Sequence, residues 1–208
     1  FVESRDDVDR FLDETGLEFP LVVKRTYGAS SSQVRLAHNF AEVLLPGILQ
    51  EFCPHNDGDL RVVVIGNRVM GYRRKNRPGD FRASGSGLRE YPKDLDIECV
   101  QLAHWISAEN GFESMAYDFV RDAQGRWVVL ELSYTYVDSF IGDCHYYYDM
   151  PSGAKKDKTG VYPEDFILAD FLEKYPQLSK GLEVQPTPRG GVSDAVKSLW
   201  KWASGAFR

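Results

Sequence analysis

Residues 116–133 restrict the fold more than any other stretch. Ala116-Tyr117-Asp118-Phe119-Val120-Arg121-Asp122-Ala123 leads into Gln124-Gly125 and out along Arg126-Trp127-Val128-Val129-Leu130-Glu131-Leu132-Ser133. Two β-rich runs about a glycine-containing pair spell a hairpin. A two-residue loop at Gln124-Gly125 pairs Ala123 with Arg126, and counting outward sets Asp118 opposite Glu131. Ser133, two residues on, projects from the same face as Glu131. Like charges placed opposite each other across a ladder repel, unless a cation lies between them. Hard oxygen donors of this kind suit Mg²⁺. On the hairpin alone, two ordinary surface carboxylates are the favoured reading, and the case for a metal must come from elsewhere.

Composition narrows the partners. A chain of 208 residues, 43% hydrophobic and 27% charged, can bury a full core as one domain or two small ones. Its net charge of −6 argues against nucleic acid, which needs a basic surface. No apolar run reaches the roughly 20 residues of a membrane span. The three cysteines, Cys53, Cys99 and Cys144, show no CxxC spacing, and the histidines form no HExxH pattern. A reducing cytoplasm is the expected setting. Phe1 stands where a start would have Met, and a helix follows at once. The expectation is that a portion precedes it.

Taken in order, the chain alternates short strands with capped helices. Ser4 and Asp7 form a capping-box pair ahead of Val8, Phe11 and Leu12, and Gly16 marks the stop. An apolar strand, 19–24, ends in Lys24. The small-residue loop 28–32, with Gly28, Ser30 and Ser31, then leads to a strand at 33–37. Strand, Gly/Ser loop, strand reads as a hairpin flap whose N–H groups and hydroxyls could cradle phosphate. A Walker loop would instead open a helix and carry GK[ST]. Asn39 and Glu42 suggest a short capped helix ended by Pro46. Strands follow at 48–53, 59–65 and 68–74, the last two joined by Gly66-Asn67. Residues 75–87 are basic and glycine-rich, and a loop of that kind costs entropy to order. A helix is expected over 92–110, with Leu95, Cys99, Leu102 and Ile106 on its buried face. Beyond Ser133 comes a stretch rich in Tyr and Asp, then a helix from Pro163 to Leu172, a Pro/Gly linker at 185–191 and an amphipathic stretch at 193–203.

With these pieces in order, the sequence resembles the ATP-grasp superfamily, most closely its ribosomal-protein glutamate ligase and glutathione-synthetase-like branch. The resemblance covers residues 1–138. Lys24 matches the lysine that meets the adenine and α-phosphate side of the nucleotide, and Gly28, Ser30 and Ser31 match the flap over the phosphates. Gln50-Glu51-Phe52 matches the hinge strand that reads adenine largely through main-chain groups. Asp59 falls where the family places a ribose-binding acid. Arg73 and the run 79–84, with Arg82 and Ser84, match the loop whose arginine faces the transferred phosphoryl group. Asp118, Glu131 and Ser133 fall on the three magnesium-ligand positions. Ser133 and Ser84 both stand where close relatives carry Asn.

The resemblance implies an α+β ATP-grasp fold: two antiparallel-sheet subdomains with flanking helices and the nucleotide between them. The expected division is a small lid subdomain at 1–52, a large metal-bearing subdomain at 53–150 and a helical extension at 151–208. It also implies an ADP-forming ligase that joins a small-molecule or peptide carboxylate to an amine or thiol through an acyl phosphate. ATP and Mg²⁺, as one or two ions with Mn²⁺ able to substitute, are the implied cofactors. Neither nucleic acid nor membrane is an implied partner. Two other readings stay open: a small-molecule kinase of the same fold, and a nucleotide-binding protein without turnover.

Overall fold

The computed structural model describes residues 1–26, 33–158 and 160–178. In chain order the elements are α1 (Arg5–Thr15), β1 (Leu21–Arg25), β2 (Val34–Ala37), β3 (Gly47–Glu51), β4 (Gly58–Ile65), β5 (Arg68–Lys75), β6 (Arg89–Glu90), α2 (Ile97–Asn110), β7 (Ser114–Arg121), β8 (Trp127–Ser133), α3 (Asp138–Gly142), β9 (Tyr146–Asp149), β10 (Ala154–Asp157) and α4 (Pro163–Lys174). They fall into two compact units. The first comprises Phe1–Asp59, Arg74–Glu90 and Val120–Val128; the second comprises Leu60–Arg73, Tyr91–Phe119 and the described residues from Val129 on.

The first unit is built on a three-stranded antiparallel sheet in the order β2-β1-β3. Leu21 and Val23 point to one face with their cross-strand partners Ala37 and Leu49. Val8 of α1 joins them, with Val2 and Val43, in a buried cluster edged by Phe11 and Leu12. The helix that delivers Val8 is fixed at both ends. Ser4 accepts the Asp7 N–H while the Asp7 carboxylate accepts the Ser4 N–H, and Gly16 ends the helix in the left-handed region at φ 65°. The capping box and the glycine stop of the sequence are therefore both present.

The second unit centres on a larger antiparallel sheet ordered β10-β9-β5-β4-β7-β8. One face carries Val63, Ile65, Met70, Tyr72 and Ala116, covered by Ile141 of α3, Cys144 and Phe166 of α4. Burial pushes the Cys144 thiol up to about 11, so it is a packed, protonated side chain at neutral pH. The sequence stretch left without elements, 134–157, supplies α3, β9 and β10, and Tyr146 and Tyr148 of β9 are buried.

Helix α2 begins at Ile97, five residues later than the 92–110 pattern suggests. Asp96 caps it by accepting the Glu98 N–H, and the preceding residues bond elsewhere: the Pro92 carbonyl accepts the Tyr146 hydroxyl. The fully buried stripe is also turned, onto Cys99, Val100, Ala103 and Ser107, leaving Leu102 and Ile106 half-buried. The rotation places the Ser107 hydroxyl 2.6 Å from the Tyr117 hydroxyl, both in the interior. Ser107→Ala should cost about 1–3 kcal/mol by stranding a buried phenol. Adding Tyr117→Phe should recover part of that loss in denaturant unfolding, whereas simple additivity of the two changes would show the bond to be incidental.

Candidate functional site

The three-stranded sheet of the first unit has a second face. Register puts Lys24 of β1 opposite Val34 and Ile48, and Val22 opposite Leu36 and Gln50. These six side chains therefore lie on the side away from the core. Ile48 is 42% exposed, while Lys24, Val34, Leu36 and Gln50 are half-buried. An apolar platform bearing one ammonium and one amide suits a flat heteroaromatic ring with an anion attached. Glu51 pairs with Leu21, on the opposite side from Lys24, so what it offers on the Lys24 side is its main chain.

Beyond β3, Phe52 meets Phe81 edge-on at 5.7 Å, which links the expected hinge to the loop at 79–84. That loop is closed from within. Arg82 donates to both oxygens of Asp80 and, at 3.2 Å, to the Val34 carbonyl of β2, while Arg77 donates to the Ser84 carbonyl. The hydrogen bond from Arg82 holds the Asp80 carboxyl below the ordinary aspartate range. Gly28, Ser30 and Ser31 lie outside the described residues, as does the stretch at 193–203. Asp59 is 7% exposed and gripped by Arg74 of the neighbouring strand, Nε and Nη2 at 2.7 and 2.6 Å. Its carboxylate is turned onto that guanidinium.

In the second unit, Asp118 of β7 is 4% exposed. It sits directly opposite Arg61 of β4, whose Nε and Nη2 each donate at 2.7 Å, one to each carboxylate oxygen. Arg73 of β5 is half-buried and Glu131 of β8 is exposed. The Ser133 hydroxyl is engaged by its own turn, donating to the Thr135 carbonyl and accepting the Thr135 N–H. Sequence reasoning missed both arginine partners, Arg61 and Arg74. The available signal was an opposite charge at a strand position, which becomes specific only once register is known.

The hairpin loop differs from expectation. Asp122, not Ala123, pairs with Arg126: the Asp122 N–H donates to the Arg126 carbonyl, and the Gly125 N–H to the Asp122 carbonyl. With Gly125 at φ 78° this is a three-residue turn carrying a one-residue bulge. The Asp122 carboxylate drives it by accepting the N–H groups of Gln124 and Arg126 and the Arg126 Nε. The two-residue loop from which Asp118 is counted opposite Glu131 is therefore absent, and that pair rests on the motif match.

Among the described residues, no three His, Cys, Asp or Glu side chains gather as a metal cluster. The donor set at the matched positions nonetheless suits a hard cation, being all oxygen and including two carboxylates. A carboxylate has about four lone-pair sites, and the Arg61 fork occupies one on each oxygen of Asp118.

A small antiparallel sheet with an open lysine-bearing face, and a larger one holding a buried carboxylate on a guanidinium, define an α+β chain of the ATP-grasp class. Residues 1–135 match the RimK-like ATP-grasp domain, and the chain belongs to that family. It is similar to the coenzyme γ-F420-2:α-L-glutamate ligase of Methanocaldococcus jannaschii, 26% identical over 126 residues, covering 50% of this chain and 43% of that protein. It is also similar to the ATP-grasp ligase PsnB, solved with a phosphomimetic variant of its minimal precursor, Mg and ADP. There the identity is 20% and the TM-score 0.50, over 69% of this chain and 46% of the other. The chain thus spans less than half the length of either relative.

The Asp122 turn yields a pH-dependent expectation. Burial raises its carboxyl pKa, but hydrogen bonds from Arg126 and Gln124 outweigh that and leave it below the ordinary value. A carboxyl depressed in the folded state stabilises fully above its unfolded pKa, about 3.9, and the contribution fades as pH falls through the folded value. Asp122→Asn should therefore lower the melting temperature at pH 7 and converge on the wild type as pH falls through the folded value. A gap independent of pH would show that the charge plays no part in the turn.

Proposed function

We propose that this chain is the nucleotide- and metal-binding part of an ATP-dependent carboxylate–amine ligase. The observation that carries the reading is the second face of the three-stranded sheet, where Lys24 and Gln50 stand on an otherwise apolar and partly open surface. The purine would lie against Val34, Leu36 and Ile48, with main-chain groups of Gln50, Glu51 and Phe52 reading its edge. Lys24 would meet phosphate charge, with Gly28, Ser30 and Ser31 over the phosphates. Asp59 enters this reading through its fork with Arg74, which fixes the start of β4, and any contact it makes with ribose would be shared with that arginine.

Asp118 and Glu131 would hold Mg²⁺ or Mn²⁺, as one or two ions, with Ser133 as a weaker third donor. Bound there, the metal would neutralise phosphate charge. In the first step a substrate carboxylate oxygen attacks the γ-phosphorus, and the bond to the bridging oxygen breaks, giving an acyl phosphate and ADP. In the second, an amine attacks the acyl carbon, phosphate departs and the amine loses a proton. Phosphoryl transfer asks mainly for positioning and charge neutralisation. Arg73 and Arg82 are the guanidiniums assigned to that task, Arg82 preset by Asp80, and the main chain of Ser84 is tied to the same loop by Arg77.

The carboxylate donor would be a small acid or a peptide side chain, and the acceptor an amine. No helix among the described residues is long and apolar enough to cross a membrane, and Cys53, Cys99 and Cys144 are free thiols. The setting that goes with this reading is the cytoplasm. Lys24→Ala should weaken ATP binding at least tenfold and leave adenosine nearly unchanged, measured by calorimetry. Equal weakening of both ligands would make Lys24 a structural residue. Glu131→Gln should abolish Mg²⁺-dependent ADP release with little change in melting temperature; surviving turnover would remove Glu131 from the metal site.

A further inference from the structure

Arg61 matches no position at which the nucleotide or the reacting groups are expected, yet it is built into the sheet more tightly than a surface charge. Its side chain is 14% exposed and faces the buried Asp118 carboxylate across a direct cross-strand pair. Its main chain is confined as well: a Cβ on Gly71 would come within 2.3 Å of the Arg61 carbonyl oxygen, so β5 approaches here as closely as a glycine allows. A buried ion pair of this kind is weak evidence for stability, because desolvating both charges offsets their attraction. Its geometry suggests another use. Two parallel N–H···O bonds at 2.7 Å fix the position of the Asp118 carboxylate and also the rotation of its plane. The guanidinium keeps its charge at any physiological pH. A carboxylate has about four lone-pair sites, and a bidentate fork takes two of them.

We propose that Arg61 is the positioning residue of the metal site: it holds the Asp118 carboxylate in one orientation and stays bound to it when a divalent cation arrives, so that cation and guanidinium share the carboxylate. The inference rests on Asp118 being a metal ligand, as proposed above. Partners of this kind orient ligating carboxylates, and their loss weakens metal binding by about 10- to 100-fold. Lysine cannot replace the fork. An ammonium reaches one oxygen as a point charge and leaves the plane free to turn. The alternative relation is competition, in which Arg61 occupies the carboxylate in place of the metal and must leave before it binds. The two relations predict opposite signs.

The test is a titration of the full chain with Mn²⁺ at saturating non-hydrolysable ATP analogue AMPPNP, followed by electron paramagnetic resonance, with metal-free AMPPNP affinity measured in parallel. Wild type, Asp118→Asn, Arg61→Lys and Arg61→Gln are compared. The expected result is a loss of Mn²⁺ affinity of about 10- to 100-fold in both Arg61 variants, with metal-free AMPPNP affinity unchanged. Lysine should rescue no better than glutamine. Mn²⁺ affinity equal to or tighter than wild type in Arg61→Gln, or parallel weakening of metal and metal-free nucleotide, overturns the proposal. If Asp118→Asn binds Mn²⁺ as the wild type does, the metal-site reading itself falls. Should both Arg61 variants fail to fold, ¹⁵N-labelled wild type decides: the Arg61 Nε–H signal must remain slow to exchange after Mg²⁺ and AMPPNP are added, and its release overturns the proposal.

Discussion

A carboxylate buried on a sheet needs a cation that reaches it without bending the backbone, and cross-strand register decides which cation that is. Asp118 faces Arg61 because residues 60–65 of β4 pair with 114–119 of β7 in one fixed alignment. A slip of β7 by one residue would turn Asp118 to the other side of the sheet, away from Arg61. Tyr117 and Phe119 would then exchange faces with Asp118, and the Ser107–Tyr117 contact beneath α2 would be lost. The alignment that builds the core of the second unit is therefore the one that presents its carboxylate.

The same economy governs the first unit. Alternation along β1 sends Leu21 and Val23 into the core and Val22 and Lys24 to the other side. Packing the core face against α1 leaves Lys24 and Gln50 on the other face, the one proposed above to take the nucleotide. Loop residues are tied to their own neighbourhood: Arg82 to Asp80 and β2, Phe52 to Phe81, Arg77 to the main chain of Ser84. These contacts hold charges and rings in place locally.

Local signals in the sequence were readable because their physics is local. Ser4, Asp7 and Gly16 announce α1, and Gly66-Asn67 announces the turn between β4 and β5, from a few neighbouring residues. The motif order sufficed for the ATP-grasp fold. Partnerships across strands were not readable: Arg61 with Asp118 and Arg74 with Asp59 are separated by 57 and 15 positions, and each requires a register the sequence does not state. The loop at 122–126 misled for a sharper reason. Gln124-Gly125 resembles a two-residue turn, but the Asp122 carboxylate captures two N–H groups and lengthens the loop by one residue. Residues 146–149 hid a strand because three successive tyrosines carry no polar–apolar alternation.

A divalent cation and Arg61 are proposed to share Asp118 when nucleotide is bound. Crystals grown with Mn²⁺ and AMPPNP, with diffraction recorded at the manganese edge, test it directly. The account predicts an anomalous peak at about 2.0–2.3 Å from an Asp118 oxygen, with the Arg61 fork intact on the same carboxylate. A manganese peak away from Asp118, or one beside it with Arg61 swung clear, would contradict it.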